Sequence, residues 1–174
     1  MSEDERITVP LAISPPARYD RILIRPAGQS HAKRGILMAI RYTQEKVFTQ
    51  EQVQGLFLSV GWVSGQYPSR LHKALMHSST VITAWDGDRL VGLVRVLDDS
   101  ELTAYMHYVL VDPAYHGQGI ASTMVRMVEE KYKDYLYIEI MPEESKNAAF
   151  YQRLGFTLME DGVAMQRCNF ANRV

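Results

Sequence analysis

The chain has 174 residues, 47% of them hydrophobic and 22% charged, which is the composition of one globular domain with its own core. Its formal net charge of -1 argues against nucleic acid or an anionic membrane as the main partner, since both require a basic surface. A single cysteine, Cys168, excludes an intramolecular disulfide, and no apolar run is long enough to span a membrane. The single cysteine suits the reducing conditions of the cytoplasm, where we expect the protein.

The first 37 residues differ in composition from the rest of the chain. They contain four of the seven prolines, a polar stretch with the sequence GQSHAKRG, and one short strand-like run at 21–25. This composition predicts a leader or linker with little packing of its own, and an N-terminal strand added to a sheet edge is the alternative. The acidic start lacks the continuous apolar stretch of a secretory signal. The folded domain is therefore expected to cover residues 38–174.

From residue 39 the pattern predicts a regular succession of helices and strands. Thr49 and Gln52 have the spacing of a capping box at a helix start, and Ser69 is expected to cap a second helix. Apolar runs separated by turn residues then predict three antiparallel strands, with a hairpin turn of sequence Asp-Gly-Asp at 86–88. The strands are expected at 39–42, 81–85, 90–97, 102–111, 135–140, 156–159 and 163–168.

Two further helices are predicted in the second half of the chain, at 119–132 and 146–154. Gly155 provides a stop for the second of these helices. The last two strands are expected to form a hairpin around an Asp-Gly pair at 161–162. This order of elements predicts an α+β fold, with a mixed central sheet of about six to seven strands flanked by about four helices.

The sharpest feature is the segment at 111–122, VDPAYHGQGIAS, in which an apolar strand ends and two glycines open a helix. Gly117 and Gly119 carry no Cβ, so a ligand can approach the backbone closely. The first N–H groups of the helix have no intrahelical partner, and the helix dipole adds positive potential there. These properties predict a phosphate or pyrophosphate site, although a plain strand-to-helix turn has the same pattern.

A second feature is the predicted short helix in the segment NAAFYQRLGF at 147–156. Asn147 and Tyr151 are spaced i, i+4 and share a face, while Phe150 and Leu154 can anchor a neighbouring face in the core. We expect Tyr151 on the exposed side of the helix, where packing does not require a tyrosine. An amphipathic surface helix without a further role is the alternative.

In this order, separated by one helix and one strand, the two features resemble the GNAT acyltransferase superfamily. The resemblance covers about residues 38–170 and is strongest over 106–156. The family's glycine signature begins with Gln or Arg, whereas this chain has His116, so cofactor binding is expected to be weaker or sensitive to pH. A weaker resemblance over 56–99 to the arylalkylamine-type branch favours a small primary amine as acceptor.

The resemblance implies acetyl-CoA as cosubstrate and a role for most of these residues. Val109 and Val111 would pair with the pantetheine arm like an added strand, and an N–H near Leu110 would polarise the thioester carbonyl. Tyr151 would act as general acid toward the departing CoA thiolate, and Asn147 would orient the cofactor arm. The residues expected to hold the pyrophosphate are His116, Gly117, Gln118, Gly119, Ile120, Ala121 and Ser122.

The general base and the acceptor pocket are less sharply defined. His107 shares strand parity with Val109 and Val111, which would turn it toward the cleft, although a satisfied sheet histidine is the alternative. The other candidates for the base are Tyr105, Glu139, Asp98, Asp99 and a water relay. Trp62 and Tyr67, between the first two helices, are expected to form the amine pocket, although Trp62 could equally fill the core.

We therefore predict an N-acetyltransferase that moves an acetyl group from acetyl-CoA to a primary amine by direct attack. Cys168 lies outside the cofactor motifs, which argues against an acyl-cysteine intermediate. The alternative is a CoA-binding sensor without turnover, while a nucleotide-binding domain is disfavoured because no Lys-Ser/Thr pair follows the glycine turn. The five histidines are scattered and there is only one cysteine, so no metal is expected, and a homodimer is compatible with the sequence.

Overall fold

The computed structural model of the chain describes residues 39–167. The expected leader at 1–37, its strand-like run and Cys168 lie outside these residues. Four α-helices and five strands lie within the described range, and none of these helices has the length and hydrophobicity needed to cross a membrane. In chain order they are β1 Arg41–Thr43, α1 Gln50–Ser59, α2 Pro68–Met76, β2 Thr80–Asp86, β3 Arg89–Asp98, β4 Thr103–Val111, α3 Ile120–Lys131, β5 Tyr137–Ile140 and α4 Ala148–Gln152.

The five strands form one mixed sheet in the order β1-β2-β3-β4-β5. The first four strands are antiparallel neighbours, and β5 joins β4 in parallel after the chain crosses over through α3. The parallel pairing runs only from Thr103 and Tyr137 to Met106 and Ile140, whereas β4 continues to Val111. The predicted α+β class and the four helices are confirmed.

The expected final hairpin at 156–159 and 163–168 is not formed in the described part of the chain, so the sheet has five strands rather than six to seven. A two-residue Asp-Gly hairpin turn needs a positive φ at the glycine. Gly87 between β2 and β3 has this conformation, with φ of 57°, but Gly162 does not. A hairpin also needs a buried face, and Val163 is 82% exposed.

The starts of the first two helices differ in how they are capped. The Thr49 side chain accepts the backbone N–H of Gln52, and the Gln52 side chain accepts that of Thr49, so the predicted capping box is confirmed. Ser69 does not cap α2, because Pro68 already occupies the first helical position. Its hydroxyl instead donates to the Gln50 side chain at 3.0 Å, which links the two helices.

The later helices begin and end close to the predicted positions. Helix α3 starts after Gly119, as the glycine pattern predicts, and its last residue is Lys131. Helix α4 is shorter than expected, and a single tighter turn at Ser145–Asn147 precedes it. Gly155 follows it with φ of 96°, a conformation that glycine adopts readily and that ends the helix.

The sheet separates two layers of buried apolar side chains. One layer contains residues of α3 and α4, including Met124 and Tyr151, and the other contains residues of α1 and α2, including Phe57 and Leu75. Burying one such aliphatic side chain stabilises the fold by about 1.5–3 kcal/mol. Because β4 contributes side chains to both layers, the strand that carries the predicted cofactor residues is fixed from both sides.

A β-bulge at His107 determines which face each side chain of β4 occupies. Strand β3 pairs with Tyr108 and with Met106, which leaves His107 as the extra residue. Val109 and Val111 therefore lie in the α3 layer, whereas Tyr108 packs in the layer of α1 and α2. The centroids of the His107 and Tyr108 rings lie 4.2 Å apart, so His107 is on the same face of β4 as Tyr108. The predicted parity of His107 with Val109 and Val111 was wrong, because the bulge shifts the alternation by one residue.

Candidate active site

Strand β4 extends beyond its parallel partner from His107 to Val111. Along this segment β3 pairs with one side of the strand, while β5 pairs with none of it. Main-chain N–H and C=O groups on the β5 side therefore have no strand partner within residues 39–167. This open segment contains Val109, Leu110 and Val111. An extended ligand arm fits here as an added strand, which is the geometry expected for a pantetheine chain.

The glycine turn after β4 has the backbone geometry of an anion site. Gly117 and Gly119 have φ values of 78° and 76°, and a Cβ on either residue would meet no other atom within 4 Å. The first N–H group to bond within α3 is that of Thr123, which donates to the Gly119 carbonyl at 3.0 Å. The N–H groups of residues 120–122 therefore have no intrahelical partner. Open space, free donors and the helix dipole together fit the pyrophosphate of acetyl-CoA.

His116 connects the end of β4 to this turn. Its Nε2 atom lies 2.9 Å from the carbonyl oxygen of Val111. A carbonyl only accepts, so Nε2 carries the hydrogen and a neutral ring then offers only an acceptor at Nδ1. In this tautomer the neutral ring has no second N–H group to donate to a phosphate.

A group of polar side chains that the sequence did not reveal holds the loop between β4 and the glycine turn. Asp112 is 7% exposed, accepts the Ala114 N–H at 2.9 Å, and forms an ion pair with Arg89 at 2.7 Å. The Tyr115 hydroxyl donates to Asp86 at 2.7 Å, and this hydrogen bond is the main reason why the pKa of Tyr115 is raised. The β2–β3 hairpin therefore fixes the loop, through pairs of residues too distant in sequence for a spacing rule to detect.

A second unpredicted feature is the close approach of α3 to the sheet at Gly92 on β3. A Cβ on Gly92 would lie 3.0 Å from Met124, 3.2 Å from Ile120 and 3.3 Å from Ala84. Ile120 is the first residue of α3, so this contact positions the helix end that presents the free N–H groups. The signal in the sequence was a glycine inside a strand, which often marks a close approach of two backbones or elements.

Tyr151 is 8% exposed and lies in the α3 layer against Phe150 and Phe156. The expectation that it lies on the exposed side of its helix was wrong, because its ring completes the apolar core. Its hydroxyl has no hydrogen-bond partner among residues 39–167, and since no fully buried side-chain oxygen there lacks a partner, this oxygen is accessible from outside the core. Burial of the side chain raises the pKa of Tyr151 to about 12. Asn147 is exposed and directly precedes α4 without capping it through its side chain.

A cavity of about 750 Å³ extends around β5, and its lining includes Tyr151 and, from the other face of the sheet, two candidates for the base. These are Tyr105 and Glu139, which are partners in the parallel pairing of β4 with β5. The size of the cavity is in the range of small-molecule sites. His107 and the glycine turn do not line it. The candidate acid thus shares a cavity with two titratable side chains, while the predicted phosphate site lies elsewhere.

His107 makes a specific contact with Arg95 of β3. Its Nδ1 atom lies 2.9 Å from a terminal guanidinium nitrogen, which can only donate, so Nδ1 accepts and the hydrogen of the neutral ring is on Nε2. Burial, and secondly the charge of Arg95, lower the pKa of His107, so the ring is neutral at pH 7. The lone pair that would take up a proton therefore faces Arg95.

Asp98 and Asp99 have partners that stabilise the turn after β3. Asp98 accepts the Tyr132 hydroxyl at 2.6 Å, and Asp99 accepts three backbone N–H groups of residues 101–103, which lowers the pKa of Asp99. Asp98 pairs with Ala104, which lies roughly 23 Å along β4 from Val111. Neither carboxylate is near the glycine turn, and no group of three or more His, Cys, Asp or Glu side chains in residues 39–167 is arranged to hold a metal ion.

The loop between α1 and α2 reaches β4 at the bulge. Trp62 is half-buried, with its ring 5.7 Å from Phe57 and 5.4 Å from Tyr108, between centroids. The hydroxyl groups of Ser64 and Tyr108 lie 3.1 Å apart, within hydrogen-bonding distance. Tyr67, also half-buried, directly precedes α2. The structure therefore brings Trp62 to the face of β4 that carries His107, and its indole ring also packs against the core.

Several acetyltransferases are similar in sequence to this chain. The ycf52-like N-acetyltransferase of Prochlorococcus marinus is 28% identical over 134 residues, covering 74% of this chain and 72% of that protein. The chloroplastic GCN5-related N-acetyltransferase 2 of Arabidopsis thaliana is 29% identical, covering 64% of this chain. Mycothiol acetyltransferase of Corynebacterium glutamicum (strain R) is 26% identical over 62% of this chain. The matched regions amount to 51% and 38% of the lengths of the last two proteins.

Solved structures and a family model agree with these relatives. A GNAT-family acetyltransferase from Streptococcus pneumoniae TIGR4 has a TM-score of 0.65 at 29% identity, covering 75% of this chain and 98% of that one. Glucosamine-6-phosphate N-acetyltransferase from Arabidopsis thaliana has a TM-score of 0.56 at 11% identity, covering 74% of this chain and 97% of that one, which shows a shared fold alone. The model of the "Acetyltransferase (GNAT) family" matches residues 46–156, more than half of the chain. The predicted acyltransferase is thereby confirmed, and the chain belongs to the GNAT acetyltransferase family, whose members use acetyl-CoA as cosubstrate.

Proposed function

We propose that this acetyltransferase moves the acetyl group of acetyl-CoA to the nitrogen of a primary amine by direct attack. The observation that carries the proposal is the separation of β4 from β5 after Met106, beside the free N–H groups that open α3. Acetyl-CoA supplies the acetyl thioester when bound. The side chains and main-chain groups of the chain bind the two substrates, orient them and move protons.

Binding of the cosubstrate uses the main chain more than side chains. Val109 and Val111 hold the pantetheine arm along the open side of β4, and the N–H near Leu110 faces the thioester carbonyl. Donors for the pyrophosphate come from the turn at 117–122, with Gln118 exposed between the two glycines. His116 contributes by linking this turn to the end of β4 through its contact with the Val111 carbonyl.

Tyr151 is the proton donor for the CoA sulfur that leaves. Its raised pKa, about 12, keeps the hydroxyl protonated at neutral pH, and this hydroxyl has no competing partner in the described residues. Asn147 lies next to the same helix on the exposed side, where it can orient the arm of the cosubstrate. A phenol hydroxyl without a protein partner on the lining of a ligand-sized cavity supports this role.

His107 receives the proton that the amine loses. Its lowered pKa keeps it neutral at pH 7, which a base requires, but its lone pair faces Arg95 in the ligand-free chain. Arg95 must therefore give up this contact before proton transfer. The alternatives are Tyr105 and Glu139, which also line the cavity, and a water relay.

The acceptor is a small primary amine, bound between the α1–α2 loop and the bulge. Trp62 and Tyr67 provide aromatic surface for it, in keeping with the resemblance to the arylalkylamine-type branch. A small-molecule acceptor is also supported by the relative named mycothiol acetyltransferase.

The proposal is tested by thiol release from acetyl-CoA with a panel of primary amines, with N-acetylated product identified by mass spectrometry. Affinity for CoA is measured on the same preparation. Thiol release that depends on an amine and matches the amount of product supports the proposal. Tight binding of CoA without turnover of any amine would overturn it in favour of a CoA-binding sensor.

A further inference from the structure

Arg95 is a half-buried cation that contacts only uncharged side chains of the described residues. Its Nε atom donates to the Ser78 hydroxyl at 2.8 Å, and a terminal nitrogen donates to His107 at 2.9 Å. The guanidinium carbon lies 5.4 Å from the centroid of the Tyr108 ring. Within residues 39–167, no carboxylate is close enough to form an ion pair with it. The hydrogen-bond donors of Arg95 are thus partly satisfied, while its charge is not balanced.

A half-buried cation without a neighbouring carboxylate is a favourable place for an anionic ligand. Burial lowers the pKa of Arg95, and the group that opposes this effect is Tyr108 rather than a carboxylate. Arg89 provides the contrast, because its side chain is 60% exposed and still forms an ion pair with Asp112. Removing a guanidinium from water without an opposite charge has a cost that neutral hydrogen bonds only partly offset.

A second cation lies beside Arg95. The Lys46 ammonium group donates to the backbone carbonyls of Met76 and Ser78, so Ser78 contacts Lys46 through its backbone and Arg95 through its hydroxyl. None of these contacts involves a carboxylate of the described residues. The face of β3 and β4 toward α1 and α2 is therefore locally positive, although the whole chain has a net charge of -1.

This positive face is at the point where the acceptor must bind. Arg95 is the partner of Tyr108 in the sheet, directly beside the bulge. Tyr108 in turn contacts Trp62 and Ser64 of the α1–α2 loop. The open segment of β4, which is the proposed binding site of the pantetheine arm, begins at the same bulge. A group bound to Arg95 is consequently next to the amine that attacks.

We propose that Arg95 is a specificity-determining residue that binds an anionic group, carboxylate or phosphate, carried by the acceptor together with its primary amine. A planar guanidinium binds either oxyanion through two parallel hydrogen bonds, and the charge of the acceptor balances that of Arg95. The acceptor oxygens also replace the His107 ring as hydrogen-bond acceptor, so its lone pair becomes free for the amine proton. Arg95 has this role only if the chain acetylates an amine, so the assignment rests on the proposed function.

The test compares pairs of amines that differ in one anionic group. Phenylalanine with phenethylamine examines a carboxylate, and glucosamine 6-phosphate with glucosamine examines a phosphate. We expect kcat/KM of the wild-type protein to be at least about tenfold higher for the anionic member of one pair, and that pair identifies the oxyanion. Equal or better use of both uncharged partners would overturn the assignment while leaving amine acetylation intact.

Variants separate a specificity role from a structural one. Arg95→Met should lower the ratio of kcat/KM between anionic and neutral amines by at least about tenfold, mainly through KM. Lys73→Met, which removes an exposed cation from α2, should leave this ratio unchanged. An equal loss for both members of the pair in Arg95→Met would overturn the assignment. Arg95→Glu should reverse the preference toward a diamine, an outcome that misfolding cannot produce.

Binding measurements address Arg95 even if no amine is turned over. In that case the proposed function fails, but the anion site can still be tested. The wild-type protein is saturated with CoA, and each of the four amines is titrated into it by calorimetry: phenylalanine, phenethylamine, glucosamine 6-phosphate and glucosamine. Tighter binding of an anionic member, lost in Arg95→Met, would support an anion site at Arg95. Equal binding within both pairs would overturn the site as well.

Discussion

The hydroxyl of Tyr151 is predicted to serve turnover and to contribute nothing to stability. It has no hydrogen-bond partner in residues 39–167, while the ring itself is 8% exposed and packed against Phe150 and Phe156. Tyr151→Phe keeps the ring contacts and removes a polar group without a protein partner. The free energy of unfolding should therefore stay within about 0.5 kcal/mol of wild type or rise slightly, because no hydrogen bond is lost.

The same substitution should strongly reduce turnover. General acid catalysis by a positioned side chain contributes about 10²–10⁴-fold, so kcat of Tyr151→Phe should fall by that factor. The dissociation constant for CoA should change far less, because pyrophosphate and pantetheine are held by the main chain. Thiol release gives kcat, calorimetric titration gives the affinity, and thermal unfolding gives the stability.

Tyr132→Phe is the matched control, because the hydroxyl of this tyrosine has partners. It lies 2.7 Å from the Thr80 hydroxyl and donates to Asp98 at 2.6 Å. Removing it leaves a charged acceptor without its donor, which costs about 1.5–3 kcal/mol and should lower Tm by at least about 3 °C. Tyr132 also lines the cavity, but its hydroxyl is held by Thr80 and Asp98, so kcat of Tyr132→Phe should fall far less than that of Tyr151→Phe. Wild-type turnover in Tyr151→Phe, or a destabilisation as large as that of Tyr132→Phe, would rule out this role of the Tyr151 hydroxyl.

Three further substitutions test the glycine turn, the packing below it and the base. Gly119→Ala should lower the free energy of unfolding by about 1–2 kcal/mol, since φ of 76° disfavours a Cβ. It should also weaken CoA binding, which titration measures. Gly92→Val should cost about 1–3 kcal/mol by overpacking against Met124 and Ile120, and CoA should bind more weakly because the start of α3 shifts. If His107 is the base, kcat/KM should fall as the pH drops through a value below about 6.5, because burial and Arg95 lower its pKa. The titratable side chains in contact with the His107 ring are Arg95, Tyr105 and Tyr108. Because the charge of Arg95 lowers the pKa of His107, Arg95→Met should raise the pH at which kcat/KM falls. A pH profile that persists in His107→Gln would exclude His107 as the base.

Local patterns predicted the features whose causes are local. The capping box of α1 needs only Thr49 and Gln52, and the β2–β3 turn needs a glycine that adopts positive φ at position 87. The start of α3 follows in the same way from Gly117 and Gly119. The order of helices and strands is determined by such signals together with the apolar periodicity, which is why the fold class was predictable.

Features that depend on partners distant in the chain were not predictable. The ion pair of Arg89 with Asp112 exists only because two strands are neighbours in the sheet. The burial of Tyr151 depends on a core that α3 and β5 complete, whereas the helix pattern alone suggested an exposed position. Likewise, the sequence of the last 19 residues contains a turn signal and apolar residues, but in its described part Gly162 does not adopt the backbone conformation that the hairpin requires.

The bulge at His107 shows how one residue links the fold to the chemistry. With regular alternation, His107 would share a face with Val109 and Val111, in the α3 layer. The extra residue instead places His107 and Tyr108 side by side on the face toward α1 and α2, where Arg95 contacts both. Val109, which follows Tyr108, lies again in the α3 layer, so the packing of the core is kept. The main chain of Val109 has no partner strand on the side of β5. Loss of the bulge by a shift of register would exchange the two faces of one half of β4 and turn buried residues out of the core, so the packing of the core itself holds His107 beside Arg95.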